Sequence, residues 1–277
     1  MYFPKNGDVR SATREWAFAA AAAELKKLGV NAVVEDGILP KAKKDVAGAM
    51  IGTADFNWSA SQSVILPGAI CEHLTSLGGI IAERGGQTPC TEFIRAGAAG
   101  SSGTVTEPYA LQEKFPTAFM HVHYAKGSTL AEAFYQSVYG PYQLLIIGDP
   151  LCRPWGKPVR VAAGGLTPGA TIKGMVEFKA GAGVGIESHE LYVDGKFIAA
   201  AKSVEPLTLD TGALAEGPHV VSIVGVQKDA IEARGRTEAN VVVANQGRKV
   251  EVTGKIPARV RFGEKVKVEL GCEGAEK

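Results

Sequence analysis

The chain has 277 residues, of which 45% are hydrophobic and 21% are charged, and its formal net charge is +1. This length fits one large or two ordinary domains, and the hydrophobic fraction is sufficient to build their cores. The near-neutral charge predicts no nucleic-acid partner, and no apolar run reaches the roughly 18 residues that a membrane-spanning helix needs.

The first 156 residues alternate between helical and strand-like patterns, which is typical of an α/β domain with helices packed on a sheet. In chain order, the predicted elements are a helix over 14–28 capped by Thr13, strands over 30–34 and 47–52, a helix over 68–76, a loop over 85–89, a helix over 90–98, a glycine-rich loop over 97–103, a strand over 104–106, a helix over 130–138, and an apolar strand inside the sheet over 143–147.

Helical periodicity stops after Gly156. Short alternating runs then follow about every ten residues, which predicts an antiparallel β-sandwich over 157–247. The sandwich is expected to be immunoglobulin-like in architecture only, because the Cys–Trp–Cys pattern of antibody domains is missing. Strand-like runs over 249–253, 258–262 and 265–270 predict the start of a further β module, or C-terminal strands, over 248–277. The first residues read as a loop within a domain, so we expect a chain truncated at both ends.

Cys90 is the strongest candidate for chemistry, because it falls in the first turn of a predicted helix, directly after a glycine-containing loop. Unpaired backbone N–H groups and the helix dipole favour a thiolate at such a position, which would make it nucleophilic. The alternative is a small residue packed at the start of a helix. His73 would serve as its base only if the fold brings the two together, and otherwise it is a surface or capping histidine.

The remaining candidates are weaker. His121 and His123 share one face of a predicted extended segment and would begin a metal site, but no third ligand follows from the spacing, so we predict no metal. The four cysteines show no zinc spacing and are expected to be separate thiols, with a disulfide between Cys71 and Cys152 left open. No nucleotide-binding fingerprint or serine-hydrolase elbow is present, and we predict no cofactor.

Three stretches together resemble the gingipain-type cysteine peptidases, which have a caspase-like fold, and more closely an uncharacterised bacterial family related to them. The stretches are Pro89–Gly97, Gly127–Phe134 and Leu145–Pro150. The resemblance covers about residues 8–155 and implies a partial caspase-like three-layer sheet with flanking helices. It also implies that Cys90 occupies the nucleophile position. Those peptidases carry a histidine at the end of the preceding strand, and none occurs beside Gly52-Thr53-Ala54 here.

Three functions follow from this departure. The first is an inactive cysteine-peptidase-like domain that acts as a scaffold or binding module for a protein or peptide. The second is an active cysteine-type peptidase or other hydrolase that uses Cys90 with His73. The third is a structural protein of the cell envelope or of adhesion. The resemblance and the appended sandwich imply an extracytoplasmic location, although Met1–Asp8 lacks the basic start and apolar core of a signal peptide.

Overall fold

A computed structural model describes residues 1–81, 86–181, 183–229, 231–247 and 250–272. Contacts between residues divide the chain into two compact units, Met1–Lys157 (unit 1) and Pro158–Lys277 (unit 2). The longest helix has ten residues, and in the described ranges no helical stretch combines the length and hydrophobicity that a membrane span needs.

Unit 1 is a mixed α/β structure built on one six-stranded sheet. Its strands are β1 (Tyr2–Lys5), β2 (Val33–Asp36), β3 (Val46–Gly52), β4 (Ile65–Leu74), β5 (Gly100–Thr104) and β6 (Leu144–Gly148). Their order is β2-β1-β3-β4-β5-β6; β1 to β5 run parallel, and β6 is antiparallel to β5. Its helices are α1 (Val9–Arg14), α2 (Phe18–Lys27), α3 (Thr91–Arg95), α4 (Phe119–Ala125) and α5 (Leu130–Tyr135), with 3-10 turns at Glu15–Ala17, Ser59–Ser61, Gln112–Lys114 and Pro141–Gln143.

The two faces of this sheet are covered by different elements because side chains alternate along each strand. Met50 and Ile70 face a core that α2, α4 and α5 complete. Ile51 and Cys71 face the opposite core, which Phe93 of α3 completes. Helices on both sides of a sheet confirm the predicted α/β architecture, whereas the finer caspase-like class remains a prediction.

The predicted helix over 68–76 is wrong, because this segment belongs to β4. Residues 69–74 are buried on both faces of the sheet, as is typical of a central parallel strand. Pro67 and Gly68 do not start a helix. They lie where the register of β4 against β3 shifts, and Gly68 has a φ of +87°.

The glycine-rich segment predicted as a loop over 97–103 contributes most of β5, and the strand ends at Thr104 instead of spanning 104–106. Small residues are required there: a Cβ on Gly103 would overlap the backbone of Gly78 and Gly79, and one on Gly100 would overlap the side chain of Leu130. The strand predicted over 143–147 exists as β6, but it lies at the edge of the sheet and not inside it.

The helix predicted over 14–28 is divided. It begins at Val9, where the Asp8 carboxylate accepts a hydrogen bond from the Arg10 amide, and not at a Thr13 cap. A 3-10 turn separates α1 from α2. The helices predicted over 90–98 and 130–138 are present but shorter. The loop predicted over 85–89 begins at Gly85, which lies outside the described residues.

The main part of unit 2 has two sheets around one apolar core. The strands are β7 (Ala163–Gly164), β8 (Thr171–Ile172), β9 (Met175–Ala180), β10 (Ile186–Val193), β11 (Lys196–Lys202), β12 (Leu207–Asp210), β13 (Gly217–Gln227) and β14 (Arg234–Val243). The sheet orders are β11-β10-β13-β14-β8 and β12-β9-β7. Phe178 of one sheet and Leu191 and Ile223 of the other belong to the same buried cluster. The immunoglobulin-like class of this arrangement remains a prediction.

The C-terminal segment has less regular structure than its alternating pattern predicts. A two-stranded sheet joins β15 (Val250–Val252) to β16 (Leu270–Cys272), whereas the strand predicted over 258–262 is absent from this described range. Residues 248–249 and 273–277 lie outside the described residues, so the third module stays a prediction.

Candidate functional site

The carboxyl ends of the parallel strands meet at one edge of the unit 1 sheet, which is where open α/β sheets bind ligands. The strand order reverses beside β1, but the crevice there is closed. The Asn6 side chain donates to the Gly52 carbonyl at 3.1 Å, and a Cβ on Gly52 would overlap the backbone of Arg10 and Ser11 in α1. Space for a ligand at this edge therefore lies elsewhere.

A groove of about 660 Å³ lies beyond the carboxyl end of β3. The segment after β3 forms one wall, and α3 with the residues before it forms the other. The lining mixes aromatic, amide, hydroxyl and charged side chains, among them Phe56, Trp58, Gln87, Thr88, Glu92 and Arg95. Neither Cys90 nor His73 is among the described residues that line it.

β4 places His73 on the face of the sheet that α3 covers. Its ring lies edge-on to Phe56 and Phe93, with centroid distances of 5.0 and 5.8 Å, and the residue is 0% exposed. Burial lowers the pKa of His73 to about 3. Nearby backbone groups of Thr53 and Thr88 raise this pKa, but by less than burial lowers it. Neither ring nitrogen makes a hydrogen bond of good geometry within the described ranges. His73 is therefore a neutral core side chain at neutral pH.

Cys90 directly precedes α3, and its amide donates to the Gly78 carbonyl at 2.8 Å. The residue is 0% exposed. Burial raises the pKa of its thiol to about 11, and the negative charge of Glu72 acts in the same direction. The backbone N–H groups of Cys90 and Thr91 lower the pKa, but by less. The shift is thus opposite to the one that a helix N-terminus favours, because α3 is only five residues long and the thiol is desolvated.

The structure brings Cys90 and His73 into one neighbourhood without joining them. Both lie on the same side of the sheet, and Gly78 stands between them. Its carbonyl holds the Cys90 amide, and a Cβ on Gly78 would lie 3.1 Å from Nε2 of His73. No hydrogen bond connects the thiol and the imidazole in the part of the chain that the structure describes. The sequence pattern indicated Gly78 only as the end of a helix, so its position between the two residues was not foreseen.

A second polar feature that the sequence did not predict is the ion pair between Arg14 and Glu72, whose side chains are both completely buried. The two residues are 58 positions apart, so no spacing rule links them. Burial raises the pKa of Glu72, and the Arg14 charge counters this shift. Arg10, on the same helix, pairs with Asp8.

The structure does not bring together the residues considered for a metal site or for a disulfide. His121 and His123 lie on α4 and not on an extended segment, so residues two apart do not share a face. The described residues contain no group of three metal-ligating side chains. Cys71 and Cys152 belong to cores on opposite faces of the sheet, and no disulfide links the described cysteines.

Comparisons with known proteins identify no family: no family model matches the chain, and no curated protein matches it. Among solved structures, the Arg-specific cysteine proteinase gingipain R matches 88% of this chain and 66% of its own, with 10% identity and a TM-score of 0.40. The fibronectin(III)-like modules of CbhA from Clostridium thermocellum match 31% of this chain and 98% of theirs, with 17% identity and a TM-score of 0.26.

The endo-beta-1,4-mannanase from Thermotoga petrophila matches 32% of this chain, with 17% identity and a TM-score of 0.27, and the chain spans only 20% of that enzyme. Matches of this strength define neither a family nor an activity for this chain. The mixed α/β and multi-sheet architecture is a property of the two units themselves.

Proposed function

We propose that unit 1 is a noncatalytic domain of cysteine-peptidase type, serving as a binding module or scaffold in an extracytoplasmic protein. The observation that carries the proposal is the burial of both candidate catalytic residues. Cys90 and His73 are 0% exposed, and no hydrogen bond links them in the described ranges. A nucleophile has to reach its substrate, and a base has to reach the nucleophile.

The electrostatics of the pair support the same proposal. With a thiol pKa of about 11, only about one Cys90 in ten thousand is a thiolate at pH 7. A general base works best with a pKa near the operating pH, whereas burial lowers the pKa of His73 to about 3. The segment after β3 offers no replacement, since residues 53–59 contain no histidine.

The groove beside α3 supports the binding role. Its mixture of aromatic side chains with the charged groups of Asp55, Glu92 and Arg95 is the kind of lining that holds a polar ligand in a fixed orientation. A protein or peptide segment is the proposed ligand, as the open shape of the groove suits a chain that passes across the surface.

An active cysteine hydrolase is the second candidate, and one observation favours it. Pro89 and Thr91, the two neighbours of Cys90, both line the groove. A small movement of the start of α3 would expose the buried Cys90 thiol to the groove. Activity then requires a conformation in which the thiol is exposed and its pKa falls.

Alkylation of the native protein by iodoacetamide, followed over a range of pH by intact mass and peptide mapping, separates the two candidates. The noncatalytic proposal predicts that Cys90 reacts slowly at every pH below 9, as slowly as buried Cys71, whose pKa burial raises to about 12. Cys272, which is exposed, provides the fast reference. In urea all four thiols should react alike.

Fast alkylation of Cys90 with a midpoint well below pH 8 would overturn the noncatalytic proposal. A screen of peptide substrates on the intact chain would then follow, with Cys90→Ala as the inactive variant and Cys71→Ala as the matched control. If the screen also finds hydrolysis that Cys90→Ala abolishes, the second candidate replaces the first.

A further inference from the structure

The outer edge of the unit 1 sheet has backbone groups with no partner among the residues that the structure describes. Two hydrogen bonds beside β6 fix which residues face inward: the Val105 amide donates to the Gln143 carbonyl, and the Asp149 amide donates to the Ala99 carbonyl. Because antiparallel pairing alternates, Leu145 and Ile147 also point their backbone groups at β5.

It follows that Leu144, Ile146 and Gly148 direct their backbone groups away from the sheet. The Leu144 amide is occupied by the Pro141 carbonyl of the preceding turn. For Ile146 and Gly148, no partner on the outer side occurs among the hydrogen bonds of the described residues. We refer to these outward backbone groups of Leu144, Ile146 and Gly148 as the β6 edge.

The β6 edge lacks the usual protection against pairing with another strand. Natural edge strands carry lysines, prolines or bulges, or are covered by another element. Residues 144–148 read Leu-Leu-Ile-Ile-Gly, with no charge, no proline and an unbroken register against β5. All four aliphatic side chains are only partly buried, so both faces of the strand remain partly open to an added neighbour.

Large exposed side chains flank the β6 edge at both ends. Tyr142, two residues before the strand, is 96% exposed, and Leu151, three residues after it, is 75% exposed. An exposed aromatic and an exposed aliphatic side chain next to unpaired backbone groups supply the two components of strand addition. Backbone pairing gives affinity, and pockets for alternate side chains give specificity.

We propose that the β6 edge binds an extended, mainly apolar peptide segment by strand addition. The peptide has to be extended, because only an extended backbone presents N–H and C=O groups at the spacing of the outward backbone groups of Ile146 and Gly148. Apolar side chains are required because the strand is uncharged. A strand of five residues is about 17 Å long. Backbone pairing along so short a strand buries much less surface than the roughly 1,200–2,000 Å² of a stable protein interface. A linear segment fits this edge better than a second folded copy does.

This inference deepens the proposed binding role by naming a class of partner, but it concerns a different surface from Cys90 and His73. The two proposals therefore fail separately. Fast alkylation of Cys90 would leave the β6 edge unaffected, and failure of the peptide to bind would leave the alkylation result unaffected.

The test uses the intact chain and a fluorescein-labelled peptide of seven residues, mostly valine and isoleucine with one central threonine, extended by a lysine at each end for solubility. Fluorescence anisotropy gives its Kd for the wild type and two variants. Ile146→Pro removes the outward N–H, at a position where an edge strand tolerates proline. Ile146→Ala removes most of the same side chain but keeps the N–H. We expect Ile146→Pro to weaken binding at least about tenfold and Ile146→Ala to change it less than about threefold.

Residue-resolved amide exchange keeps the proposal testable if either variant folds poorly. In the wild type, the peptide should slow exchange of the Ile146 and Gly148 amides and leave those of Leu145 and Ile147, already paired with β5, unchanged. Equal weakening by both variants, protection confined to another surface, or no saturable binding would overturn the proposal. So would a dimer in sedimentation equilibrium that Ile146→Pro dissociates, because the edge would then be a self-association surface.

Discussion

The guanidinium of Arg14, in α1, lies against the carboxylate of Glu72, in β4, with both side chains completely buried. Arg14 also donates to the carbonyls of Ile51 and Pro116, at 2.7 and 3.2 Å, and Glu72 accepts from the Ser102 hydroxyl at 3.3 Å. The pair thereby ties the first helix to the centre of the sheet and to the segment before α4.

Removal of one member of this pair should destabilise unit 1 strongly, because the other charge is left buried without compensation. We expect Glu72→Ala to lower the free energy of unfolding by about 3–5 kcal/mol, and the double variant Arg14→Met with Glu72→Leu to recover much of that loss. Urea unfolding followed by circular dichroism measures both. The exposed pair of Lys27 and Glu24 is the control, where Glu24→Ala should leave the urea midpoint nearly unchanged. Similar small effects at both pairs would contradict the prediction.

The buried histidines should make the protein acid-sensitive. Burial lowers the pKa values of His73 and His121 to about 3, below the 6.5 of an exposed histidine. Between these values the unfolded chain binds more protons than the folded one. The free energy of unfolding is therefore highest above pH 6.5. As the pH drops below 6.5, it decreases by about 1.4 kcal/mol per pH unit for each histidine. Urea unfolding between pH 7 and 5 should show this loss of stability, and His73→Leu should make the dependence on pH less steep. An unchanged slope in His73→Leu would show that His73 does not titrate as proposed.

Gly52 should tolerate no side chain. A Cβ there would overlap the backbone of Arg10 and Ser11, which cannot move without displacing α1. We expect Gly52→Ala to lower the free energy of unfolding by about 3 kcal/mol. Gly7→Ala is the matched control, since nothing lies within 4 Å of a Cβ at Gly7. Thermal unfolding of the two variants side by side measures the difference, and equal melting temperatures would refute the closure of the crevice by α1.

Tyr109 stores backbone strain at the surface. Its φ of +59° is unfavourable for a bulky residue, and its side chain is 72% exposed, so packing does not compensate. Tyr109→Asn should raise the free energy of unfolding by up to about 1 kcal/mol, because asparagine adopts this conformation more readily. Tyr139→Asn, at an exposed position without a positive φ, should produce no such gain. A loss of stability in Tyr109→Asn would show that the tyrosine ring makes a stabilising contact.

Local sequence patterns determined the class of each half of the chain. Alternating helical and strand patterns predicted an α/β structure before Gly156, and short alternating runs predicted the two-sheet structure after it. Both patterns report which side chains must be buried, and burial is the strongest local signal that a sequence carries. The turn between β10 and β11 also follows from local sequence: Asp194 and Gly195 both have positive φ, a conformation that an Asp-Gly pair favours in a two-residue hairpin turn.

Two of the failures lie where distant residues decide the local structure. The segment 68–76 has a helical start and stop signal, yet it is a strand because the sheet buries both of its faces. The glycines of β5 look like a loop, yet Gly103 is needed where the backbone of Gly78 and Gly79 approaches it closely.

The candidate site shows the same division. The sequence placed Cys90 at the start of a helix, but it could not show that the folded structure buries both Cys90 and His73. Nor could it pair Arg14 with Glu72, 58 positions away. Composition and periodicity determine which elements form, because these are short-range properties of the chain. Solvent access, pKa values and the unpaired backbone groups at the β6 edge depend on which elements become neighbours, and only the tertiary structure decides that.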